Sequence, residues 1–139
     1  MKPGNPLGIT SLADLTKAQV VALCATNAPC GTAANTALQH DGVTIPTSKI
    51  SLGQDVKATL SQVTSGDADA AVVYATDARS VGSTGKGVPI PASQNIITSY
   101  PIAVVNGTSN ASLAKAWIGY VTGPTGQKVL GAAGFLPPR

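Results

Sequence analysis

The chain has 139 residues and a formal net charge of +3, with 43% apolar and 11% charged residues, values that fit one compact domain or a fragment of a larger protein and argue against a disordered chain. Its apolar runs, of which 70–75 is one of the longest, fall far short of the roughly 20 residues that a membrane-spanning helix needs. No two of the nine Lys and Arg residues are adjacent and no aromatic residues alternate with them, so the positive charge does not predict a nucleic-acid-binding surface.

The first two-thirds of the chain alternate between apolar runs and helical segments. Ser11 and Asp14 have the spacing of a capping box and predict a helix start. Continuous apolar strands separated by helices favour a mostly parallel sheet flanked by helices, an α/β fold. In chain order the further predicted elements are a strand at 19–25, a helix at 32–40, a strand at 49–52, a helix from 54 or 55 to 65, a strand at 70–74, a short helix at 76–80 and an edge strand at 88–91.

The pattern changes near residue 100. A strand is predicted at 100–105, then an amphipathic helix at 109–122, and a last helix that begins at Pro124 and reaches about residue 133. Two successive helices after a single strand do not continue the earlier order of elements. We therefore expect residues 98–139 to pack separately from a domain formed by residues 1–97.

The two cysteines, Cys24 and Cys30, favour a small structural disulfide in an exported protein. Such a short loop predicts a stabilisation of about 2 kcal/mol on the chain-entropy model. Their spacing does not match a structural zinc site, and a single histidine could not complete four ligands. Two buried free thiols, or a redox-active or nucleophilic thiol, remain alternatives.

Three strand–helix junctions are candidates for a binding site, because ligands of open parallel sheets bind beyond the carboxyl ends of the strands. The backbone N–H groups of Cys30 and Val56 lie at predicted helix beginnings, where unpaired amides favour an anion. The hydroxyl of Tyr74 would be a further donor. In the plainer interpretation, 29–31 is only a turn, Asp55 is a helix cap and Tyr74 is a boundary aromatic. No side-chain metal site is predicted, and neither a P-loop nor a hydrolase nucleophile motif occurs.

Several short motifs, in this order and spacing, resemble those of the molybdate-binding proteins of bacterial ABC importers. The resemblance covers essentially the whole chain. The motifs are Asn5-Pro6-Leu7-Gly8-Ile9, Ser11-Leu12-x-Asp14-Leu15, Pro29-Cys30-Gly31-Thr32-Ala33, Asp55-Val56, Gly66-Asp67-Ala68-Asp69-Ala70, Val73-Tyr74-x-Thr76-Asp77-Ala78, Tyr100-Pro101-Ile102-Ala103-Val104, Gly126-Gln127 and Gly134-Phe135.

The resemblance implies a type II periplasmic-binding-protein-like fold with the first lobe largely missing. Residues 1–97 would form the second lobe, and residues 98–139 would be the return crossing strand and C-terminal helices that pack on the first lobe. The ligand would be molybdate or tungstate, held by Cys30 and Val56 through their backbone N–H groups and by Tyr74 through its hydroxyl. No cofactor and no enzymatic activity are implied. The parent protein would be exported to the periplasm or cell surface and would deliver the anion to an ABC permease.

Two other functions remain open at this stage. The lobe could sense an anion and signal to a partner, or Cys30 could serve a thiol-dependent transferase reaction. For the transport function, we expect weak binding by this chain, because the resemblance places further donors in the first lobe. An apolar face on the helix at 109–122 also predicts a homodimer or domain swap through residues 100–139.

Overall fold

The computed structural model describes residues 1–138 and divides the chain into two compact units, Met1–Ile97 and Thr98–Arg139. The first unit contains a three-stranded sheet with its helices, and the second contains two helices. In the described part of the chain, no helix has the length and apolar character needed to cross a membrane. Three short 3-10 helices lie in the first unit, at Ala13–Lys17, Thr47–Lys49 and Gly82–Thr84.

The sheet of the first unit consists of three parallel strands, which confirms the predicted α/β class. They are β1 (Val21–Cys24), β2 (Ile50–Gly53) and β3 (Ala70–Ala71), in the order β2-β1-β3. Cys24 at the end of β1 lies opposite Gly53 at the end of β2. The carboxyl ends of neighbouring strands therefore lie at one edge of the sheet.

Each strand is followed by a helix. These helices are α1 (Pro29–His40), α2 (Val56–Thr64) and α3 (Ala75–Ser80). The Asp55 side chain caps α2 by accepting a hydrogen bond from the Ala58 backbone N–H at 2.8 Å. This cap satisfies one of the first-turn amides that no carbonyl within the helix can reach. The predicted role of Asp55 as a helix cap is thus confirmed.

The central strand β1 is buried along its whole length and faces two apolar clusters. Val21 and Leu23 belong to one cluster, together with Leu38 of α1. Ala22 belongs to the other, together with Val63 of α2. Because successive strand residues point to opposite faces, α1 and α2 cover opposite sides of the sheet.

A partly buried ionic contact holds the beginning of the chain against the edge of the sheet opposite the carboxyl ends of the strands. The Lys2 ammonium lies 2.7 Å from the Asp69 carboxylate, whose side chain is only 19% exposed. The same carboxylate accepts hydrogen bonds from the backbone N–H groups of Gln19 at 2.8 Å and Val20 at 3.1 Å. The bond from Lys2, aided by the backbone donors, holds the pKa of Asp69 below its usual range.

The structure differs from the prediction at two helix beginnings, the one near Ser11 and that of α1. Ser11 and Asp14 do form the reciprocal hydrogen bonds of a capping box, at 3.1 and 3.3 Å, but the helix that follows is the short 3-10 helix Ala13–Lys17. α1 begins at Pro29 and not at residue 32. A proline suits the first helical position because it lacks an N–H that the helix could not use there, and its fixed φ is already helical.

Two predicted strands are wrong, and a third is shorter than expected. Residues 88–91 form no strand, since prolines in alternate positions of this segment have no N–H to donate to a neighbouring strand. Residues 100–105 form no strand either, and the described part of the second unit holds no strand that could pair with them. Only Ala70–Ala71 of the predicted strand at 70–74 belongs to a strand, β3.

The second unit is formed by α4 (Ala111–Thr122) and α5 (Pro124–Ala133), which pack against each other. Its large apolar side chains are mostly exposed, with Leu113 at 71% and Trp117 at 59%. The rings of Trp117 and Tyr120 stack, with centroids 5.6 Å apart. The predicted amphipathic helix is thus present, with its apolar face uncovered.

Candidate functional site

The three predicted site residues all lie at the beginnings of helices that follow neighbouring parallel strands. Cys30 is the second residue of α1, Val56 is the first residue of α2, and Tyr74 immediately precedes α3. Because the three strands run in the same direction, these helix beginnings share one edge of the sheet. The fold therefore brings to one edge three positions that are 26 and 18 residues apart in the sequence.

Two glycines let α1 and α2 begin unusually close to the strands. A Cβ atom on Gly31 would collide with the carbonyl oxygen of Ala25, and one on Gly53 would collide with Thr59. Only glycine permits these approaches, and our sequence interpretation gave neither residue such a role. The available signal was a glycine at each strand–helix junction, in the motifs Pro29-Cys30-Gly31 and Gly53-Gln54-Asp55.

The backbone at the start of α1 directs most of its hydrogen bonds inward. The N–H groups of Gly31 and Thr32 both donate to the Ala28 carbonyl, at 2.9 and 3.1 Å, and the Ala28 N–H donates to the Ala25 carbonyl at 2.9 Å. Along the chain, Cys30 lies between the residues that make these bonds. As a first-turn amide, its N–H has no carbonyl four residues earlier in the helix, which makes it a candidate anion donor.

The start of α2 has a similar arrangement. The Asp55 side chain accepts from Ala58, and the Asp55 carbonyl accepts from the Thr59 N–H at 3.0 Å. Val56, the first residue of the helix, is half-buried and has a first-turn amide without an intrahelical acceptor. Both helix beginnings thus combine hydrogen-bonded amides with a first-turn amide, that of Cys30 or Val56, that is a candidate donor.

Tyr74 is half-buried at the third junction. Its carbonyl accepts hydrogen bonds from the N–H groups of Asp77 at 3.1 Å and Ala78 at 3.0 Å, which ties its backbone to the first turn of α3. Burial raises the pKa of the Asp77 carboxyl, and the positive charge of Lys57 on α2 opposes this shift. A partly buried carboxylate near these helix beginnings disfavours recruitment of anions by charge alone.

Cys24 and Cys30 form a disulfide that joins the end of β1 to the first turn of α1. Both cysteines are buried, with 1% and 6% exposure, and the described chain has no free thiol. The fully buried Thr59 hydroxyl lies 3.4 Å from the Cys24 sulfur and 2.8 Å from the Asp55 carbonyl oxygen, to which it can donate. The same sulfur thus contacts both helix beginnings.

The candidate donors at this edge are uncharged amides and one phenol. Among residues 1–138, no group of three or more His, Cys, Asp or Glu side chains is placed to hold a metal ion. Fixed N–H and O–H donors suit a ligand that presents only acceptor atoms, such as a fully deprotonated oxyanion. Such a site can select by size and geometry.

A cavity of about 600 Å³ also occurs in the first unit, but it is a different feature. Its lining is mainly apolar and includes Leu60, Val63 and Ile90, and none of the three predicted site residues is among the residues that line it. Its polar lining includes Arg79 and Lys86, but the beginnings of α1 and α2, which supply the candidate amide donors, lie outside it. We therefore do not place the oxyanion there.

Comparison with known proteins identifies relatives of this chain. The Molybdate-binding protein ModA of Mycobacterium tuberculosis is 36% identical over 136 residues, which are 97% of this chain and 51% of that relative. Molybdate-binding protein ModA of Escherichia coli K12 is 34% identical over 110 residues, covering 77% of this chain and 42% of the relative. The chain spans about half the length of the curated relatives it matches.

Two solved structures have the same fold. A substrate binding domain from Clostridium difficile superposes with a TM-score of 0.80 at 24% identity, covering 99% of this chain and 62% of that chain. The periplasmic molybdate-binding protein of Azotobacter vinelandii superposes with a TM-score of 0.72 at 23% identity and the same coverage. The predicted periplasmic-binding-protein-like fold, with a parallel sheet flanked by helices, is confirmed.

The match to a family model agrees with the comparison of folds. The model of the bacterial extracellular solute-binding proteins matches residues 1–136, which include all three helix beginnings of the candidate site as well as the helices of the second unit. The match therefore extends over nearly the whole chain, and the resemblance drawn from the sequence motifs is confirmed. The chain belongs to the family of bacterial extracellular solute-binding proteins.

Proposed function

We propose that this chain binds a tetrahedral oxyanion, molybdate or tungstate, at the shared edge of its sheet. The N–H groups of Cys30 and Val56 and the hydroxyl of Tyr74 would be the donors. The observation that carries the proposal is the pairing of Cys24 with Gly53, because it sets the beginnings of α1 and α2 side by side. The curated relatives, all molybdate-binding proteins by name, support this choice of ligand.

The chemistry of the donors supports an anion that carries no proton. A deprotonated oxyanion offers only acceptors to these groups, whereas the hydrogen of a protonated phosphate would meet another donor. Sulfate has the same acceptors and differs mainly in size. Discrimination against sulfate would then depend on how far apart the three donors are held.

We infer that the binding serves import. In the parent protein the anion would be delivered to an ABC permease, on the outer side of the cytoplasmic membrane or at the cell surface. Binding by this chain would be weak, because in the proposed arrangement further donors would belong to the other lobe of the parent protein. Closure of two lobes on the anion would then create the form that the permease recognises.

A titration followed by amide NMR tests the proposal. We expect molybdate and tungstate to shift the backbone resonances of Cys30 and Val56, while phosphate at the same concentration leaves them in place. Tyr74→Phe should weaken molybdate binding about tenfold, as expected for one lost hydrogen bond to a charged acceptor. Tyr120→Phe, a change of the same type in the second unit, should leave affinity unchanged. Shifts confined to residues far from the three helix beginnings would contradict the proposed site.

The disulfide weighs against the alternative of a thiol-dependent transferase. A nucleophilic cysteine acts as a thiolate, and the sulfur of Cys30 is bonded to Cys24 and nearly inaccessible. The proposed use of Cys30 needs only its backbone N–H, which the disulfide leaves intact. The oxidised cysteines therefore favour a binding function over a reaction through the Cys30 thiolate.

We propose that residues 98–139 are a segment that packs on a partner surface, which in the parent protein would be the first lobe. For this chain alone, we expect the exposed face around Leu113 and Trp117 to pair two copies. Sedimentation velocity should then give a concentration-dependent dimer that Trp117→Ser converts to monomer. Lys128→Ser, a polar exchange on α5, is the control. A monomer at every concentration would contradict this part of the proposal.

A further inference from the structure

The disulfide lies at the proposed oxyanion site and joins the end of a strand to the beginning of a helix. Cys24 is the last residue of β1, and Cys30 is the residue whose N–H is the proposed donor on α1. Their Cα atoms are 5.8 Å apart, and both side chains are buried. The covalent bond therefore restrains the first turn of α1 directly against the end of the central strand.

The second proposed backbone donor is connected to the same sulfur. The hydroxyl of Thr59, on the second turn of α2, lies within hydrogen-bonding distance of both the Cys24 sulfur and the Asp55 carbonyl, and can donate its one hydrogen to either. Thr59 is fully buried and also packs closely on Gly53. A displacement of the Cys24 sulfur would consequently change the contacts of Thr59, and through them the position of the beginning of α2, where Val56 lies.

A role in stability alone does not account for this placement. Cross-links stabilise most when they close long loops, whereas Cys24 and Cys30 are only six residues apart. The bond also lies at the very edge where the donors must be spaced correctly. Affinity for a small oxyanion depends steeply on that spacing, because each donor has to reach an acceptor within a narrow range of distance and angle.

We infer that the Cys24–Cys30 disulfide is a positioning pair for the anion site, so that its reduction lowers oxyanion affinity while the fold persists. The inference rests on the proposed function and adds a dependence of that function on redox state. In an oxidising compartment the site would be set for capture, and a dithiol reductant would weaken it. The cysteines act only through the backbone amides that they position.

Dithiothreitol can serve as the reductant of the Cys24–Cys30 bond. The S–S bond breaks, each cysteine sulfur gains one hydrogen, and dithiothreitol is oxidised to its cyclic disulfide by loss of two electrons and two protons. Oxidised glutathione reverses the step. The same sample can therefore be measured in the oxidised, reduced and reoxidised states, which separates a reversible repositioning from damage.

The test is an amide NMR titration of the full 139-residue chain with molybdate in these three states. We expect the dissociation constant to rise about tenfold on reduction, the equivalent of one charge-assisted hydrogen bond, and to recover on reoxidation. The molybdate-induced shift of the Cys30 resonance should shrink in the reduced state. The dispersion of the remaining amide spectrum should persist, because the apolar clusters on both faces of the sheet do not involve the bond.

Variants keep the inference testable if the reduced chain is hard to prepare. Cys24→Ala combined with Cys30→Ala should bind like the reduced chain and no longer respond to dithiothreitol. Thr59→Val keeps the disulfide and should weaken binding about threefold, with the change centred on Val56. The matched control is Thr36→Val on α1, whose exposed hydroxyl bonds only within its own helix and should leave affinity unchanged.

The outcomes separate the inference from the proposed function. Equal molybdate affinity in the oxidised and reduced states would overturn the inference and leave the proposed function intact. Loss of amide dispersion on reduction would assign the bond a purely structural role and would also overturn it. If molybdate shifts no resonance in the oxidised state, the proposed function fails and the inference fails with it.

Discussion

The two units of this molecule use similar apolar residues in opposite ways. In the first unit, β1 is completely buried and is covered by helices on both faces. In the second unit, α4 has no buried residue and α5 buries only Gly126. The comparison teaches that an amphipathic pattern specifies a helix and its apolar face, whereas burial of that face requires a partner.

This difference has a consequence for stability. Hydrophobic burial is the main force that opposes the loss of chain entropy on folding, and the first unit has far more of it. We expect the first unit to unfold cooperatively and the second to lose structure more easily. Trp117, the only tryptophan, lies in the second unit, so its fluorescence reports that unit, while far-UV circular dichroism reports both.

The largest effect is expected from a methyl group at the close approach in the first unit. Gly31→Ala would drive its Cβ into the Ala25 carbonyl, and we expect a loss of about 3 kcal/mol or more in urea unfolding followed by circular dichroism. Gly119→Ala on α4 is the control, since apart from its chain neighbours and the adjoining backbone of its own helix no heavy atom of residues 1–138 lies within 4 Å of its added Cβ. That change should stabilise α4 by about 0.5–1 kcal/mol. Equal tolerance of both substitutions would contradict the close packing at the site.

Truncation of a leucine in each unit should give the next largest difference. Leu23→Ala removes a side chain that is 3% exposed, so we expect a cost of about 2–3 kcal/mol from lost burial and the cavity left behind. Leu113→Ala removes one that is 71% exposed and should cost less than about 0.5 kcal/mol in a dilute monomeric sample. A comparable cost at Leu113 in urea unfolding would mean that the apolar face of α4 is covered in solution.

The next largest difference is expected in how the stability of the two units depends on acidic pH. Because the pKa of Asp69 is lowered, its contribution is complete above the ordinary Asp pKa of about 3.9 and is lost as the pH falls through the lowered value. Asp69→Asn should therefore cost about 1–2 kcal/mol at pH 7, and its difference from the unsubstituted chain should shrink below about pH 4. Residues 98–139 contain no Asp or Glu. The transition reported by Trp117 should consequently show no matching acid dependence, and a parallel shift would contradict this assignment.

The smallest expected effect concerns the helix caps. Asp55→Ala removes the acceptor of the Ala58 N–H at the start of α2 and should cost about 1 kcal/mol in thermal or urea unfolding. Asn110 occupies the same position before α4 but makes no capping bond with its side chain. Asn110→Ala should therefore change stability by less than about 0.5 kcal/mol. If both substitutions cost the same, the cap at Asp55 does not contribute as described.

Much of the fold could be predicted from residue patterns. The apolar runs at 19–25 and 49–52 predicted strands that overlap β1 and β2, and the helix predicted from 54 or 55 to 65 overlaps α2. The predicted strands at 88–91 and 100–105 were wrong for a shared reason. An apolar, β-branched segment meets the local requirement for a strand, but a strand also needs a hydrogen-bonding neighbour, and local composition does not report one.

From the sequence, the candidate site could be located only to the three strand–helix junctions. The positions of Cys30, Val56 and Tyr74 followed from the order of strands and helices, since parallel strands end at the same edge. The close approaches at Gly31 and Gly53, and the contact of Thr59 with the Cys24 sulfur, could not be foreseen. These depend on distances between elements that are far apart in the chain.

The sequence by itself determined the kinds of elements, their order, and the residues available as uncharged donors, because local propensity and periodicity depend on near neighbours in the chain. Only the tertiary structure decided which strands pair, that Cys24 lies opposite Gly53, and that one sulfur contacts the beginnings of two helices. Such contacts depend on register and packing between distant segments. A site for a small anion belongs to this second class, because it exists only where separate backbone segments meet at fixed distances.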